Sequence, residues 1–259
     1  MIYDLDCKIL ENRYISGKTY ILKVEAPDIA KNTKPGQFVM VKPTLDDYYD
    51  PLLRRAFAIA DVEGDTITLF YDVYGKGTLY LTTKREGEYL KVLGPLGNNL
   101  FPDNYDNYLI VGGGIGFAGL SLFIKKIKEK GKKYTALYGA RKKEELSMIE
   151  WIEKNQVEVI YYTDDGSFGK KGLITQDLEK IIEDNPEAPL LVCGPKGMMK
   201  AVSKIAISKN RPCYLSLESR MACGIGICVG CVVRDKSKDT YVRVCYEGPV
   251  FEAKEIEIL

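Results

Sequence analysis

Residues 108–116 read YLIVGGGIG, and behind them come FAGLSLFIKKIKEKG (117–131) and KYTALYGA (133–140). An apolar run closing in glycines, an amphipathic stretch of 3.6-residue period and a second apolar run spell strand, helix, strand. The alternation continues through EELSMIEWIEKN (144–155), VEVIYYT (157–163), ITQDLEKIIED (174–184), PLLVCG (189–194) and GMMKAVSKIAISKN (197–210). Strand and helix thus alternate about four times, which predicts a parallel, doubly wound α/β sheet. Its ligand is expected at the carboxyl ends of the strands.

Upstream the texture differs. TYILKVEA (19–26), GQFVMVKP (36–43), DTITLFYDVY (65–74) and GEYLKVLGP (87–95) are short alternating segments bounded by Gly, Pro or Asp. None carries a 3.6 period, so an antiparallel β-barrel is expected. Downstream, four cysteines crowd the last fifth of the chain. The predicted organisation is α+β and multidomain: a barrel over 1–101, the α/β domain over 102–214 and a small cysteine-bearing loop domain over 215–259.

Composition narrows the chemistry. Basic and acidic side chains number 37 and 36, for a net charge of +1. No basic stretch is interleaved with aromatics, so nucleic acid is a poor partner. There is no histidine, which removes Ser-His-Asp and Cys-His nucleophilic sites, histidine zinc sites and the commonest general acid-base group. Cofactors must carry most of the chemistry. No run of about 18 apolar residues exists to span a membrane. With no apolar signal segment either, a reduced cytoplasmic setting is expected.

Cys223, Cys228 and Cys231 read C-x4-C-x2-C within MACGIGICVGC, and Cys245 follows after 13 intervening residues. This is the plant-type spacing that wraps one loop around a 2Fe-2S cluster. Gly224, Gly226 and Gly230 lie between the ligands, where a backbone without Cβ can curl and aim N–H groups at sulfur. A four-thiolate zinc site usually shows two C-x2-C pairs, whereas only Cys228 and Cys231 form one here. Electron transfer is the expected role. Cys7 and Cys213 read as small buried thiols.

Gly112, Gly113, Gly114 and Gly116 close the first α/β strand and open its helix. Such a turn lets the backbone approach a pyrophosphate at a helix N-terminus, or merely lets the helix pack on its sheet. A second glycine turn, Cys193-Gly194-Pro195, ends another strand. Arg141, Lys142 and Lys143 stand where an acidic residue would read a ribose; they can hold a 2′-phosphate or form a solvated helix start. In the barrel, Arg54-Arg55-Ala56-Phe57-Ala58 offers a guanidinium fork, and Gly75-Lys76-Gly77-Thr78 a turn of amides plus a hydroxyl. The alternatives are surface charge and an ordinary turn.

The order of these motifs, with GPLGN at 94–98 and CGPKGMM at 193–199, resembles the ferredoxin-reductase superfamily. The tail SLESRMACGIGICVGC with CYEGPVF looks specifically like the electron-transfer subunits of type B dihydroorotate dehydrogenases, and the likeness spans essentially the whole chain. It implies FAD in the barrel, NAD in the α/β domain and a 2Fe-2S cluster on the four cysteines. Carried onto this sequence, Arg55 and Ala56 begin the FAD motif, with Arg55 on the pyrophosphate and Phe57 and Ala58 bordering the flavin. Gly77 and Thr78 complete the phosphate turn, and Phe70, Tyr71 and Asp72 line the FAD. Ala58 departs from the Ser or Thr usual there. Cys193 matches the thiol near the nicotinamide, and plain burial remains its other reading.

A nicotinamide exchanges hydride, a cluster exchanges single electrons, and a flavin does both. The resemblance therefore implies a two-to-one electron converter beside an FMN-containing catalytic subunit that oxidises dihydroorotate for pyrimidine biosynthesis, in a two-plus-two heterotetramer. Two other readings stay open: an NAD(P)H-binding subunit of a ferredoxin:NADP oxidoreductase or sulfide dehydrogenase complex, and a redox-sensing flavin/iron-sulfur binding protein.

Overall fold

The computed structural model describes residues 1–44 and 50–258; residues 45–49 of the expected barrel and Leu259 of the expected C-terminal segment lie outside them. The N-terminal sheet is built from β1 (Tyr3–Ser16), β2 (Thr19–Glu25), β3 (Phe38–Val41), β4 (Arg55–Ala58), β5 (Asp61–Glu63), β6 (Thr66–Asp72) and β7 (Tyr89–Leu96). Among the described residues the order is β4-β3-β7-β1-β2-β6-β5, with every pairing antiparallel. The sheet rolls until Phe57 of β4 meets Tyr71 of β6, ring centroids 5.7 Å apart. Alternation puts Ile67, Leu69 and Tyr71 of β6 inside with Val39 and Val41 of β3.

Two short helices interrupt this all-β expectation, α1 (Pro27–Asn32) and α2 (Lys76–Leu81). Each has six residues, too few for a 3.6 period to register in the sequence. The expected turn Gly75-Lys76-Gly77-Thr78 is thus the start of α2, capped by the Thr78 hydroxyl, which accepts from the amides of Tyr74 (2.9 Å) and Gly75 (3.3 Å).

The second sheet contains β8 (Asn107–Gly113), β9 (Lys133–Ala140), β10 (Val159–Thr163), β11 (Lys170–Lys171), β12 (Leu190–Cys193) and β13 (Cys213–Ser216). All pair in parallel, and β9, β8, β12 and β13 run side by side. The crossing helices are α3 (Ala118–Glu129), α4 (Ile149–Lys154), α5 (Leu178–Asp184) and α6 (Lys196–Ser208). Strand order reverses between β8 and β12, the place where such sheets hold ligands. The stretch 144–155, expected as one helix, is a 3-10 turn over Lys143–Glu145 and then α4. Leu146 and Met148 sink into the core between them, and burying that apolar pair outweighs continuing the helix.

At the C-terminus, β14 (Val232–Asp235) and β15 (Thr240–Arg243) form an antiparallel ribbon. The chain then returns as β16 (Val250–Glu252), antiparallel to β13 at the edge of the parallel sheet. The GPLGN turn receives this return: Asn98 Nδ2 donates to the Tyr246 carbonyl at 2.9 Å, and Asn99 Nδ2 to Val250 at 2.7 Å. The two large domains are fastened at Asp61, 2% exposed. Its carboxylate accepts from Lys125 Nζ of α3 at 2.6 Å and from Trp151 Nε1 of α4 at 2.9 Å, so the cleft between them has fixed walls.

Candidate cofactor cleft and cysteine loop

A cleft of about 730 Å³ runs between barrel and α/β domain, within the range of roughly 300–1,000 Å³ typical of cofactor sites. Arg55, Ala56, Phe57 and Ala58 of β4 line it with Phe70, Tyr71 and Asp72 of β6, Thr78 of α2, and Cys193 from the far wall. Gly77 sits under the Arg55 guanidinium, where any Cβ would overlap it. Arg54 is held apart, its guanidinium bidentate on Asp4 at 2.8 and 2.9 Å. Of the two adjacent arginines, Arg55 is the one seated over the turn at Gly77. Asp72 is engaged by Thr19 Oγ1 at 2.5 Å and Lys18 Nζ at 3.3 Å. Tyr71 donates to Asn12 Oδ1 at 3.0 Å, and burial keeps its phenol protonated, well above its ordinary range.

At the far wall, a Cβ on Gly119 of α3 would lie 3.2 Å from Cys193 Sγ and 3.9 Å from the Ala58 methyl. Barrel, helix and strand end therefore meet at one apolar point. Burial pushes the Cys193 thiol well up, Glu218 adding to it, while the Ser216 hydroxyl partly offsets them. The sulfur stays a neutral thiol at physiological pH. Glu218 also lines the cleft and is exposed to it. Desolvation by the surrounding protein atoms and the charge of Asp72 raise its pKa.

The glycines divide their duties. A Cβ on Gly116 would stand 2.6 Å from Gly194 Cα, so the turns after β8 and β12 interlock backbone to backbone. Gly112 is covered by the Phe117 ring, and Gly113 by Pro195 and Met198. Gly114 alone of this set has φ of +51° and nothing within 4 Å of its Cβ position. The turns do share one crevice, and of these four glycines Gly113 and Gly116 make that contact possible.

In the C-terminal loop the sulfurs are drawn together in pairs. The Cys228 amide donates to Cys223 Sγ and the Cys245 amide to Cys231 Sγ, both at 3.4 Å. A two-iron cluster takes two thiolates per iron, and two such pairs are what the loop supplies. The donor set fits the two-iron group. Partial burial pushes Cys223 up, but amides of Cys228, Ile225 and Ile227 outweigh it and bring the thiol down to about 6. Cys245, desolvated beside Cys231, rises to about 12. A Cβ on Gly224 (φ +74°) would strike Met40 of β3, so the loop rests on the barrel.

Gly119, Glu218 and Arg243 were not singled out by the sequence. Arg243 Nη1 donates to the Gly226 carbonyl at 2.8 Å and pairs with Glu247, bracing the loop. The Arg-x3-Glu spacing of 243–247 was the available signal. Gly119 and Glu218 leave none, because their importance is the company they keep across the cleft.

Residues 218–257 match the model of the iron-sulfur cluster binding domain of dihydroorotate dehydrogenase B, and residues 110–204 that of the oxidoreductase NAD-binding domain. Over 99% of both chains the sequence is 45% identical to the dihydroorotate dehydrogenase B (NAD(+)), electron transfer subunit homolog of Aquifex aeolicus. It is 39% identical, again over 99% of both, to the electron transfer subunit of Caldanaerobacter subterraneus. Among solved structures, that of an NADH-dependent reduced ferredoxin-NADP oxidoreductase superposes with a TM-score of 0.86 at 30% identity, covering 97% of this chain and 89% of that one. The ferredoxin reductase of carbazole 1,9a-dioxygenase shares the fold, with a TM-score of 0.67 at 20% identity over 82% of this chain and 67% of that chain. Similarity along the whole length, with cysteine and nucleotide-binding regions matched in order, assigns this chain to the family of dihydroorotate dehydrogenase B electron transfer subunits.

Proposed function

We propose that the chain receives electrons from an FMN-containing, dihydroorotate-oxidising catalytic subunit and delivers them to NAD+ through a 2Fe-2S cluster and FAD, serving pyrimidine biosynthesis. One observation carries the reading. The cleft that holds Arg55, Phe57 and Cys193 is also lined by Ser219, Arg220 and Met221, and Cys223 follows Met221 by two residues. The wall of the cleft thus runs to within two residues of the first cysteine.

In this reading Arg55, propped on Gly77, takes the FAD pyrophosphate, and Phe57, Ala58, Phe70, Tyr71 and Asp72 form the flavin's walls. Cys223 with Cys228, and Cys231 with Cys245, each hold one iron. Bound in the cleft, a flavin exchanges hydride with a nicotinamide and single electrons with a cluster. Gly114 and the crevice between β8 and β12 admit NAD, with Gly113, Gly116 and Gly194 holding the turns together and Gly112 making room for the Phe117 ring. Cys193 and Gly119 keep water from the apolar point where nicotinamide meets flavin. Cys228 is exposed, and Ile227 and Val229 beside it are 77% and 56% exposed. The catalytic subunit covers this tip, in a two-plus-two heterotetramer. A cytoplasmic setting goes with the reading, since the cluster's thiolates require reducing conditions; among the described residues no helix is long and apolar enough to cross a membrane.

The structural match to a ferredoxin-NADP oxidoreductase favours a second reading, in which the same cofactors serve a different partner. Reconstitution separates the two. The chain alone should oxidise NADH with artificial acceptors, and dihydroorotate-dependent NAD+ reduction should appear only after the FMN subunit is added. Dihydroorotate oxidation by this chain alone would overturn the division of labour. If no FMN-containing dihydroorotate dehydrogenase subunit binds the loaded chain, the second reading takes its place.

A further inference from the structure

The corner beyond Gly114 settles what the three consecutive bases do. Register pairs Gly113 of β8 with Gly139 of β9, so the chain leaves β9 at Ala140 and Arg141 alongside the open glycine. In a doubly wound sheet the end of this second strand reads the ribose 2′ position of a dinucleotide. An arginine there would ordinarily grip a 2′-phosphate with its planar fork. Here the fork is occupied. Arg141 Nη2 donates to Glu145 Oε1 at 2.6 Å, Nε to Oε2 at 3.2 Å, and its own amide to Oε2 at 3.4 Å.

The other two bases are engaged as well. Lys142 Nζ stands 4.0 Å from the Glu144 carboxylate, and Lys143 Nζ lies 5.3 Å from the Phe168 ring centroid. From the next strand end, the amides of Asp164 and Asp165 donate to the carbonyls of Ala140 and Arg141 at 3.1 and 3.2 Å. Lys171 of β11, paired with Thr163, brings the corner to four cations, Arg141, Lys142, Lys143 and Lys171, against four carboxylates, Glu144, Glu145, Asp164 and Asp165. The bases are matched by carboxylates, so the corner offers a phosphate no net positive charge. A 2′-phosphate adds a charge of about −1.5 to −2, whereas a free 2′-hydroxyl adds none.

We propose that Glu145 is a specificity-determining residue: it holds Arg141 and supplies the charge that turns a 2′-phosphorylated dinucleotide away, so the chain takes NAD(H) and rejects NADP(H). This rests on reading the crevice between β8 and β12 as the nucleotide site. Arg141 is exposed, and the pair alone is of modest strength. The selectivity comes from the carboxylate's charge acting together with the loss of the free guanidinium.

The test uses the loaded chain and two probes that differ only at the ribose 2′ position, 5′-AMP and 2′,5′-ADP (adenosine 2′,5′-bisphosphate), titrated calorimetrically. The wild type should bind 5′-AMP more tightly. Glu145→Ala should tighten 2′,5′-ADP roughly tenfold, about 1.4 kcal/mol, and leave 5′-AMP within about twofold. Removing Arg141 as well should abolish the gain. Flavin and iron content report that each variant is folded, and Glu145→Gln supplies a milder second variant. The proposal is overturned if Glu145→Ala leaves 2′,5′-ADP unchanged, if the gain survives Arg141→Ala, or if the wild type prefers 2′,5′-ADP. If neither probe binds the wild type while its FAD and cluster are intact, the crevice is not the nucleotide site and the proposal falls with that reading.

Discussion

Replacing Gly116 by alanine strikes the place where the two glycine turns interlock. The new Cβ would stand 2.6 Å from Gly194 Cα, 2.7 Å from Gly194 N and 2.8 Å from the Cys193 carbonyl carbon. All three are backbone atoms, so no rotamer change relieves the overlap; β8 and β12 must part by several tenths of an ångström. Overpacking of this kind costs about 1–3 kcal/mol, and a domain of this size loses roughly 2–4 °C of melting temperature per kcal/mol. Gly197 is the matched control. It lies in the first turn of α6 with nothing within 4 Å of its Cβ position, and Gly→Ala at such a site stabilises by about 0.4–1 kcal/mol. The two variants should therefore shift the melting temperature in opposite directions. Gly116→Ala should also raise the KM for NADH at least roughly tenfold, because small misplacements at a binding turn are expensive. FAD and iron content should stay level. Melting curves and NADH-dependent flavin bleaching read both effects. A Gly116→Ala protein that melts with the wild type, or a Gly197→Ala protein that falls as far, would refute the interlock.

Iron and acid-labile sulfide should be two of each per chain. Cys245→Ser should lose the cluster by breaking the Cys231/Cys245 pair, while Cys7→Ser, in the barrel core, should retain it; the reverse result would reassign the ligands. Arg55→Ala should lower FAD occupancy after gel filtration, since truncating one partner of a charge pair costs about 2–5 kcal/mol. Arg54→Ala should keep its FAD, because that guanidinium is already held by Asp4; equal retention by both variants would remove Arg55 from the pyrophosphate.

Much of the architecture was legible because it is written locally. The apolar runs and the 3.6 period of residues 117–131 needed no distant partner to be read, and the observed α3 and β9 fall where the pattern put them. The cysteine spacing was legible for the same reason, since a loop that wraps a cluster is a property of one short stretch. The strand β1 was harder. Cys7 and Ile9 are buried, but the residues from Leu10 to Ser16 are exposed or half-buried, so neither face is continuously apolar, and only pairing with β2 and β7 makes this stretch a central strand.

What the chain could not announce is which remote segments meet. Two neighbouring arginines are indistinguishable in the sequence; Asp4 and Gly77, each more than 20 residues away, send one to the surface pair and the other to the cleft. Asn99 and Val250 are 151 positions apart, yet their hydrogen bond seats the C-terminal return beside the sheet. Periodicity, glycine placement and ligand spacing are short-range properties, set by the backbone geometry of a few residues. Charge pairing, close backbone approach and the walls of the cleft arise only when folding brings distant groups within a few ångströms, and that is where tertiary structure alone decided the chemistry.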